Sequence, residues 1–341
     1  MKVAIGPVFD EYGGVSQHIF GIKKYSSHNI NVVPSNFNRS IIGKNELRKR
    51  AYVKLMDKIH ISRTDIVHSH VDPWFTNLCI ASRTSTCKWV HTYHTLYFEE
   101  DYPDGLQEWQ KQINRSLIEN ASKADVRISI SKWLHDHLEE EYSIQTEIVP
   151  NGVDLEACNK ADPNRFIEKY GLKDFVLFVG SIQHIKNPKL FIELAFRMPE
   201  FIFLMIGRGL DPNNVKRECG INIPRNIILM KEMSHQDVLD AIAACKAFVM
   251  TSKREGIPTV LLEAMGLGKA VVVPDHSGCQ EVVYSNDYGF LYRQDSIDDL
   301  VEMTKAALIS KSVGKKARER IVEKYDWKVL AKEIDKVYES C

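Results

Sequence analysis

The chain has 341 residues, of which 44% are hydrophobic and 26% charged, so it is too long for one ordinary domain and suits two globular ones. Lys plus Arg equals Asp plus Glu at 45 each, and residues 1–150 hold 18 of each sign against 27 in the remainder, which excludes a basic nucleic-acid platform in either half. The seven cysteines are scattered and odd in number, with no C-x-x-C pair, which excludes a disulfide framework and a structural zinc knuckle and fits a reducing, cytoplasmic setting.

The N-terminus enters a strand-like run at once, without the charged and long apolar regions of an export signal. No apolar run approaches the roughly 20 residues of a membrane span. Short β-branched runs then alternate with helical patterns. Strands are expected at Val3–Pro7, Asn31–Pro34, Ile66–His68, Lys88–His91, Val126–Ile130 and Glu147–Val149, with helices near 15–26, 45–59, 74–83, 106–122 and 132–141. Pro150-Asn151-Gly152 breaks the pattern as a turn and a linker. It restarts with strands at Phe175–Val179, Phe201–Ile206, Asn226–Leu229, Ala247–Met250 and Ala270–Val273, and helices near 188–197, 234–244, 258–267, 297–309 and 313–324. Such alternation predicts parallel strands with crossover helices, hence an α/β chain of two tandem doubly wound domains, 1–150 and 151–326. Trp327, Leu330, Ile334 and Val337 have helical spacing, so 327–341 is expected to be a terminal helix docking on one of the domains, with the N-terminal one preferred.

Residues 251–263 read Thr-Ser-Lys-Arg-Glu-Gly-Ile-Pro-Thr-Val-Leu-Leu-Glu. A strand runs into a loop, and Pro258 suits the first position of a helix because its missing N–H would be unpaired there anyway. The N–H groups of Thr259 and Val260 then point out of the helix start, where the dipole favours an anion such as a diphosphate. Glu263, roughly 7 Å into that helix, can accept hydrogen bonds from both hydroxyls of a ribose. Glu255, before the helix, can hold hydroxyls of a sugar on the far phosphate. Two exposed structural glutamates are the plain alternative.

The Glu-x7-Glu spacing resembles that of the family 4 retaining glycosyltransferases of GT-B fold, and the resemblance spans nearly the whole chain. Gly13-Gly14-Val15-Ser16-Gln17-His18 is similar to the family's Gly-Gly-Val loop, and His91-Thr92-Tyr93-His94-Thr95 to its active-site histidine segment. Val149 to Asp154 resembles the interdomain linker, Phe178 to Asn187 the phosphate-binding segment, and Gly278 to Glu281 the following Gly-x-x-Glu. The resemblance implies two Rossmann-like domains facing across a cleft, the first on the acceptor side and the second binding the nucleotide sugar. It implies transfer of a hexose or N-acetylhexosamine from a UDP or GDP sugar to a hydroxyl of a glycan, lipid-linked or small polar acceptor. Donor binding falls to Gly14, Ser181, Lys186, Gly207, Gly256, Ile257, Pro258, Thr259, Val260 and Glu263, catalysis to Glu255 and His94, and the acceptor side to Ser16 and Gln17. Lys186 would neutralise the leaving diphosphate as a point charge. Many members carry arginine where this chain has Ser181; Arg254 is one candidate to replace that charge.

His68, His70, His91 and His94 end two strands and invite a metal reading, but acidic partners at metal spacing are lacking apart from Asp72, and there is no strand-terminal Asp-x-Asp. Structural histidines and a metal-independent reaction with no added cofactor are expected. The window 39–63 carries eight basic residues against Glu46 and Asp57; it can lie on anionic lipid as a peripheral contact at the inner membrane face, or be a solvated basic helix. No G-x-G-x-x-G is present, which argues against a dinucleotide oxidoreductase. The competing readings are a sugar-nucleotide epimerase, for which no carboxylate set for proton transfer is evident, and a weakly catalytic sugar-nucleotide-binding protein, which the serine at 181 encourages.

Overall fold

The computed structural model of the protein describes residues 1–8, 13–34, 63–82 and 86–341; the helix expected near 45–59 and the basic window up to residue 62 lie outside the described residues. The chain forms two compact units, one of Met1–Tyr97, Leu106–Asn151 and Trp327–Cys341, the other of Phe98–Gly105 and Gly152–Asp326. An eight-residue stretch from the N-terminal half thus packs with the second unit, which no sequence pattern announced.

The first unit runs β1 (Lys2–Val8), α1 (Gly14–Tyr25), β2 (Asn29–Pro34), β3 (Ile66–Ser69), α2 (Pro73–Ser82), β4 (Lys88–Tyr93), α3 (Glu108–Arg115), β5 (Val126–Ser129), α4 (Lys132–Tyr142) and β6 (Glu147–Ile148). The second runs α5 (Leu155–Cys158), α6 (Pro163–Tyr170), β7 (Val176–Val179), α7 (Pro188–Arg197), β8 (Phe203–Ile206), α8 (Pro212–Cys219), β9 (Ile227–Met230), α9 (His235–Ala244), β10 (Ala247–Val249), α10 (Thr259–Gly266), β11 (Val271–Pro274), α11 (Ser277–Val283), β12 (Phe290–Tyr292), α12 (Ile297–Ile309) and α13 (Val313–Lys324). The chain then returns to the first unit as α14 (Trp327–Ser340). The helical pattern at 106–122 divides into α3, a π turn at Ser116–Asn120 and a 3-10 turn at Ala121–Lys123.

Each unit carries one six-stranded sheet, ordered β2-β1-β3-β4-β5-β6 and β12-β11-β10-β7-β8-β9, and every pairing is parallel. Parallel strands are covered on both faces, so alternate residues serve different cores. In the first unit Val3, Ile5, Ile66 and Val90 pack with α1 and α14, whereas Ala4, Val67 and Trp89 pack with Phe75 and Leu78 of α2. The second core is built around Phe178, Phe191 and Phe203 between β7, α7 and β8. Two helices that periodicity alone does not reveal, α6 and α8, are framed by local chemistry. Asp162 and Asp211 cap them, proline is their first residue, and Gly171 and Gly220 end them at φ 68° and 64°. Among the described residues no helix is long and apolar enough to cross a membrane.

The four positions of the expected apolar stripe in α14, Trp327, Leu330, Ile334 and Val337, are all at 5% exposure or less, while Val329 off the stripe is 40% exposed. Asp335 accepts hydrogen bonds from Ser26 Oγ (2.5 Å) and Ser27 N (2.9 Å), fixing α14 to the end of α1. Gly21 makes the crossing possible: a Cβ there would stand 2.1 Å from Trp327 Cε2. Replacing a mid-helix glycine with alanine normally gains about 1 kcal/mol, while forcing a methyl into a packed core costs about 1–3 kcal/mol. Gly21→Ala is therefore expected to lower stability in urea unfolding followed by tryptophan fluorescence; a stabilised variant would contradict this packing.

Candidate functional site

The second sheet reverses its winding between β7 and β10: the chain leaves β7 for β8 on one side and β10 for β11 on the other. In doubly wound sheets such a winding reversal is the place where ligands bind, outside the carboxyl ends of the strands. Ser181 and Lys186 follow β7, and Glu255 to Glu263 follow β10. The loops are stitched together by backbone and hydroxyl groups. Lys253 N donates to Ile185 O (2.8 Å), and Thr251 Oγ1 donates to the carbonyls of Lys186 (3.1 Å) and Asn187 (2.8 Å). The segment after β11 closes the other side, with Glu255 N donating to Ser277 Oγ (3.1 Å) and Gly278 N to Glu255 O (3.1 Å). A Cβ at Gly278 would lie 1.1 Å from Gly256 O, and one at Gly207 would lie 2.0 Å from Gly180 O. These backbones approach too closely for any side chain.

On this platform Lys186 Nζ and Glu255 Oε1 form an ion pair at 2.6 Å, half-buried on the lysine side. Pro258 is not the first helical residue, as expected from sequence, but the N-cap, at φ −74° and ψ 118°. It cannot cap with a side chain, and Leu261 N and Leu262 N already bond to its carbonyl. The N–H groups of Thr259 and Val260, both half-buried, are thus the ones that an α-helix leaves without an intrahelical acceptor. Ile257 and Gly256 are buried beneath them. Glu263 is 8% exposed, and its Oε1 lies 2.6 Å from His235 Nε2 at the start of α9. That hydrogen bond, opposed by burial and aided by the carboxylate charge, raises the His235 pKa above its usual value. His235 was missed by sequence reasoning because it reads only as part of the helix near 234–244.

Arg254, the candidate to replace the charge missing at Ser181, is paired with acidic groups. Its guanidinium donates to Asp101 (2.7 Å) and Glu100 (2.9 Å) and stacks 4.0 Å over Phe98, which holds the 98–105 stretch on the second unit. Ser181 Oγ donates to Gln183 Oε1 at 3.2 Å.

Gly14, Ser16, Gln17 and His94 belong to the first unit. Gly14 opens α1 and is exposed, Ser16 is buried, and Gln17 N donates to Gly13 O (3.0 Å). His94, just past β4, is 6% exposed and faces His70, with Nε2 2.9 Å from His70 Nδ1. His18 on α1 completes the group, its ring 4.9 Å from that of His94, and its Nδ1 meets Asn151 Oδ1 at 2.9 Å. His91 points elsewhere, to Ser69 Oγ (2.8 Å), while His68 bridges Tyr338 OH and Thr92 Oγ1 at 2.7 Å each. Asp72 is turned to the start of α2, where it accepts from Trp74 N and Phe75 N. Burial lowers the pKa of all five histidines, to about 4 at His18 and about 3 at His91, and mutual repulsion adds to this at His68, His70 and His94. The sequence pattern found four of them; His18, on a helix far upstream, joins them only through the fold.

With this geometry in place, two family profiles match the chain: Glycosyl transferases group 1 over residues 161–327 and Glycosyltransferase Family 4 over residues 13–157. A similar protein is the UDP-Gal:alpha-D-GlcNAc-diphosphoundecaprenol alpha-1,3-galactosyltransferase of Escherichia coli, 27% identical over 84% of this chain and 78% of that one. Another is the N-acetylgalactosamine-N,N'-diacetylbacillosaminyl-diphospho-undecaprenol 4-alpha-N-acetylgalactosaminyltransferase of Campylobacter jejuni, 28% identical over 66% of this chain and 60% of that one. Among solved structures, an Anabaena protein in complex with UDP-glucose superposes with a TM-score of 0.78 at 16% identity, covering all of both chains.

The buried histidines predict an acid-labile first unit. A histidine whose folded pKa lies below its unfolded value of about 6.5 takes up its proton only on unfolding, so stability is lost as pH falls below about 6.5. Each such group contributes a slope of up to about 1.4 kcal/mol per pH unit. His235, with its raised pKa, has the opposite sign but is one group against five. Urea midpoints are expected to fall steeply from pH 7 to pH 5; a flat profile would contradict the burial of these rings in neutral form.

Proposed function

The chain belongs to glycosyltransferase family 4, with the GT-B fold, and we propose that it is a retaining hexosyltransferase that needs no metal for transfer. It moves a hexose or N-acetylhexosamine from a UDP or GDP sugar to a hydroxyl of a glycan, lipid-linked or small polar acceptor. The observation that carries this reading is the Lys186–Glu255 pair set beside the start of α10, with Glu263 further along the same helix. In a sugar-nucleotide complex the diphosphate sits on the N–H groups of Thr259 and Val260, and Lys186 turns from Glu255 to a phosphate oxygen. Glu255 is thereby released to the sugar hydroxyls, and Glu263, held by His235, accepts from the ribose. Gly14 N–H adds a phosphate contact, His94 is the active-site histidine at the donor sugar, and Ser16 and Gln17 serve the acceptor side.

The main demand is stabilising the negative charge of the departing diphosphate. The bond from the anomeric carbon to the phosphate oxygen breaks as the acceptor oxygen bonds to the same carbon on the same face. The acceptor proton passes to the leaving phosphate oxygen, so no protein nucleophile is required. Ser181 leaves Lys186 and the helix start to supply most of the positive potential. The Escherichia coli and Campylobacter relatives carry diphospho-undecaprenol acceptors in their names, and the Anabaena neighbour is bound to UDP-glucose. Those names support a lipid-linked acceptor and make UDP the first nucleotide to test.

The two glutamates separate binding from chemistry. Glu263→Ala is expected to raise the Kd for UDP by about tenfold to a hundredfold, the worth of one or two charge-assisted hydrogen bonds. Glu255→Ala is expected to leave that Kd within about threefold while lowering kcat/KM by about a hundredfold or more. Calorimetric binding and UDP release with an acceptor panel read these out. Two variants that bind and transfer normally would overturn the assignment.

A further inference from the structure

His18, His70 and His94 each place a ring nitrogen within 4.8 Å of the others, and all three side chains are buried. Two details distinguish this group from packed structural histidines. Asn151 Oδ1 can only accept, so the 2.9 Å contact puts the His18 proton on Nδ1 and leaves Nε2 as a lone pair. That Nε2 is buried and, among the described residues, has no hydrogen-bond partner. A histidine that donates one N–H to a carbonyl oxygen and offers its other nitrogen inward has the orientation of a metal ligand.

The distances suit a small ion. Two nitrogens of a tetrahedral zinc centre stand about 3.3–3.4 Å apart, given Zn–N bonds of about 2.0–2.1 Å. His70 Nδ1 and His94 Nε2 stand 2.9 Å apart in a hydrogen bond, so an ion taken between them displaces the shared proton and parts the two nitrogens by a few tenths of an ångström. The widest separation in the group, no more than 4.8 Å, must close by at most about 1.4 Å. Three nitrogens with no carboxylate select borderline transition metals and disfavour magnesium and calcium, which prefer oxygen.

We propose that His18, His70 and His94 form a three-imidazole site for a borderline transition-metal ion, with zinc as its probe, and that its occupancy inhibits transfer by withdrawing His94 from the donor sugar. The inhibitory part rests on the placement of His94 proposed above; the site itself does not. Three protein ligands leave a fourth position for water. The ion is a regulator or poison in this scheme and takes no part in the chemical step.

The test titrates metal-free protein with Zn2+ and, for its spectrum, Co2+. One ion per chain is expected, with the visible absorption of a tetrahedral or five-coordinate cobalt centre and no comparable binding of Mg2+. His70→Gln and His18→Asn, each checked by thermal melting, are expected to raise the Kd for Zn2+ by about tenfold or more. If one variant does not fold, the other and the wild-type cobalt spectrum decide. Equal zinc affinity in the variants, or no cobalt absorption, overturns the site. Nucleotide release from whichever of UDP-glucose, UDP-N-acetylglucosamine and GDP-mannose the chain turns over is expected to fall about tenfold with Zn2+ and recover with EDTA. Stoichiometric binding with undiminished release overturns the inhibitory role and the placement of His94 at the sugar, while leaving the donor assignment on the second unit standing.

Discussion

At Gly278 there is no room for a side chain, because the carbonyl of Gly256 occupies the space where a Cβ would stand. That contact lets the amide of Gly278 reach the carbonyl of Glu255, while Ser277 takes the Glu255 amide. The loop between β10 and α10 is thereby fixed at both ends of its key residue. Every other feature of the donor platform follows from that constraint. The Glu255 side chain meets Lys186, Pro258 sits as a cap with no hydroxyl or carboxylate of its own, and the first amides of α10 face away from their helix. A polar crevice at the winding reversal of a parallel sheet is common to many folds. In the proposed donor site the groups offered to a diphosphate are backbone amides, which cannot turn aside.

The Lys186–Glu255 pair has a second consequence. An ion pair at 2.6 Å holds the two side chains against each other. In the proposed donor complex, exchange of the lysine from carboxylate to phosphate, and of the carboxylate from lysine to sugar hydroxyls, would replace one charge-assisted contact by two. On that proposal the platform would be preorganised by its own charges before the transfer step. The same logic applies to Glu263, which His235 holds on the buried side of α10.

Much of this was legible in the sequence because it rests on period and spacing. Strand alternation, the apolar stripe of the last helix and the position of Glu255 and Glu263 around a helix start are all properties of neighbouring residues. β12 and the helices at 163–170 and 212–219 were not read, the first because three residues carry little periodicity and the helices because their signal lies in Asp-Pro starts and glycine ends. Long-range partners were illegible for a different reason. Arg254 looked free to replace a missing cation, yet it is held by Asp101 and Glu100, some 150 positions upstream. His18 and His235 likewise gain their meaning from residues that only the fold brings near.

The most direct measurement is backbone amide exchange in the intact chain, with and without saturating UDP or GDP, in EDTA. If the start of α10 is the diphosphate site, the amides of Thr259 and Val260 slow markedly with the nucleotide that binds, together with amides of the loop from Gly180 to Lys186. Slowing confined to other segments, or none with either nucleotide, would contradict the account.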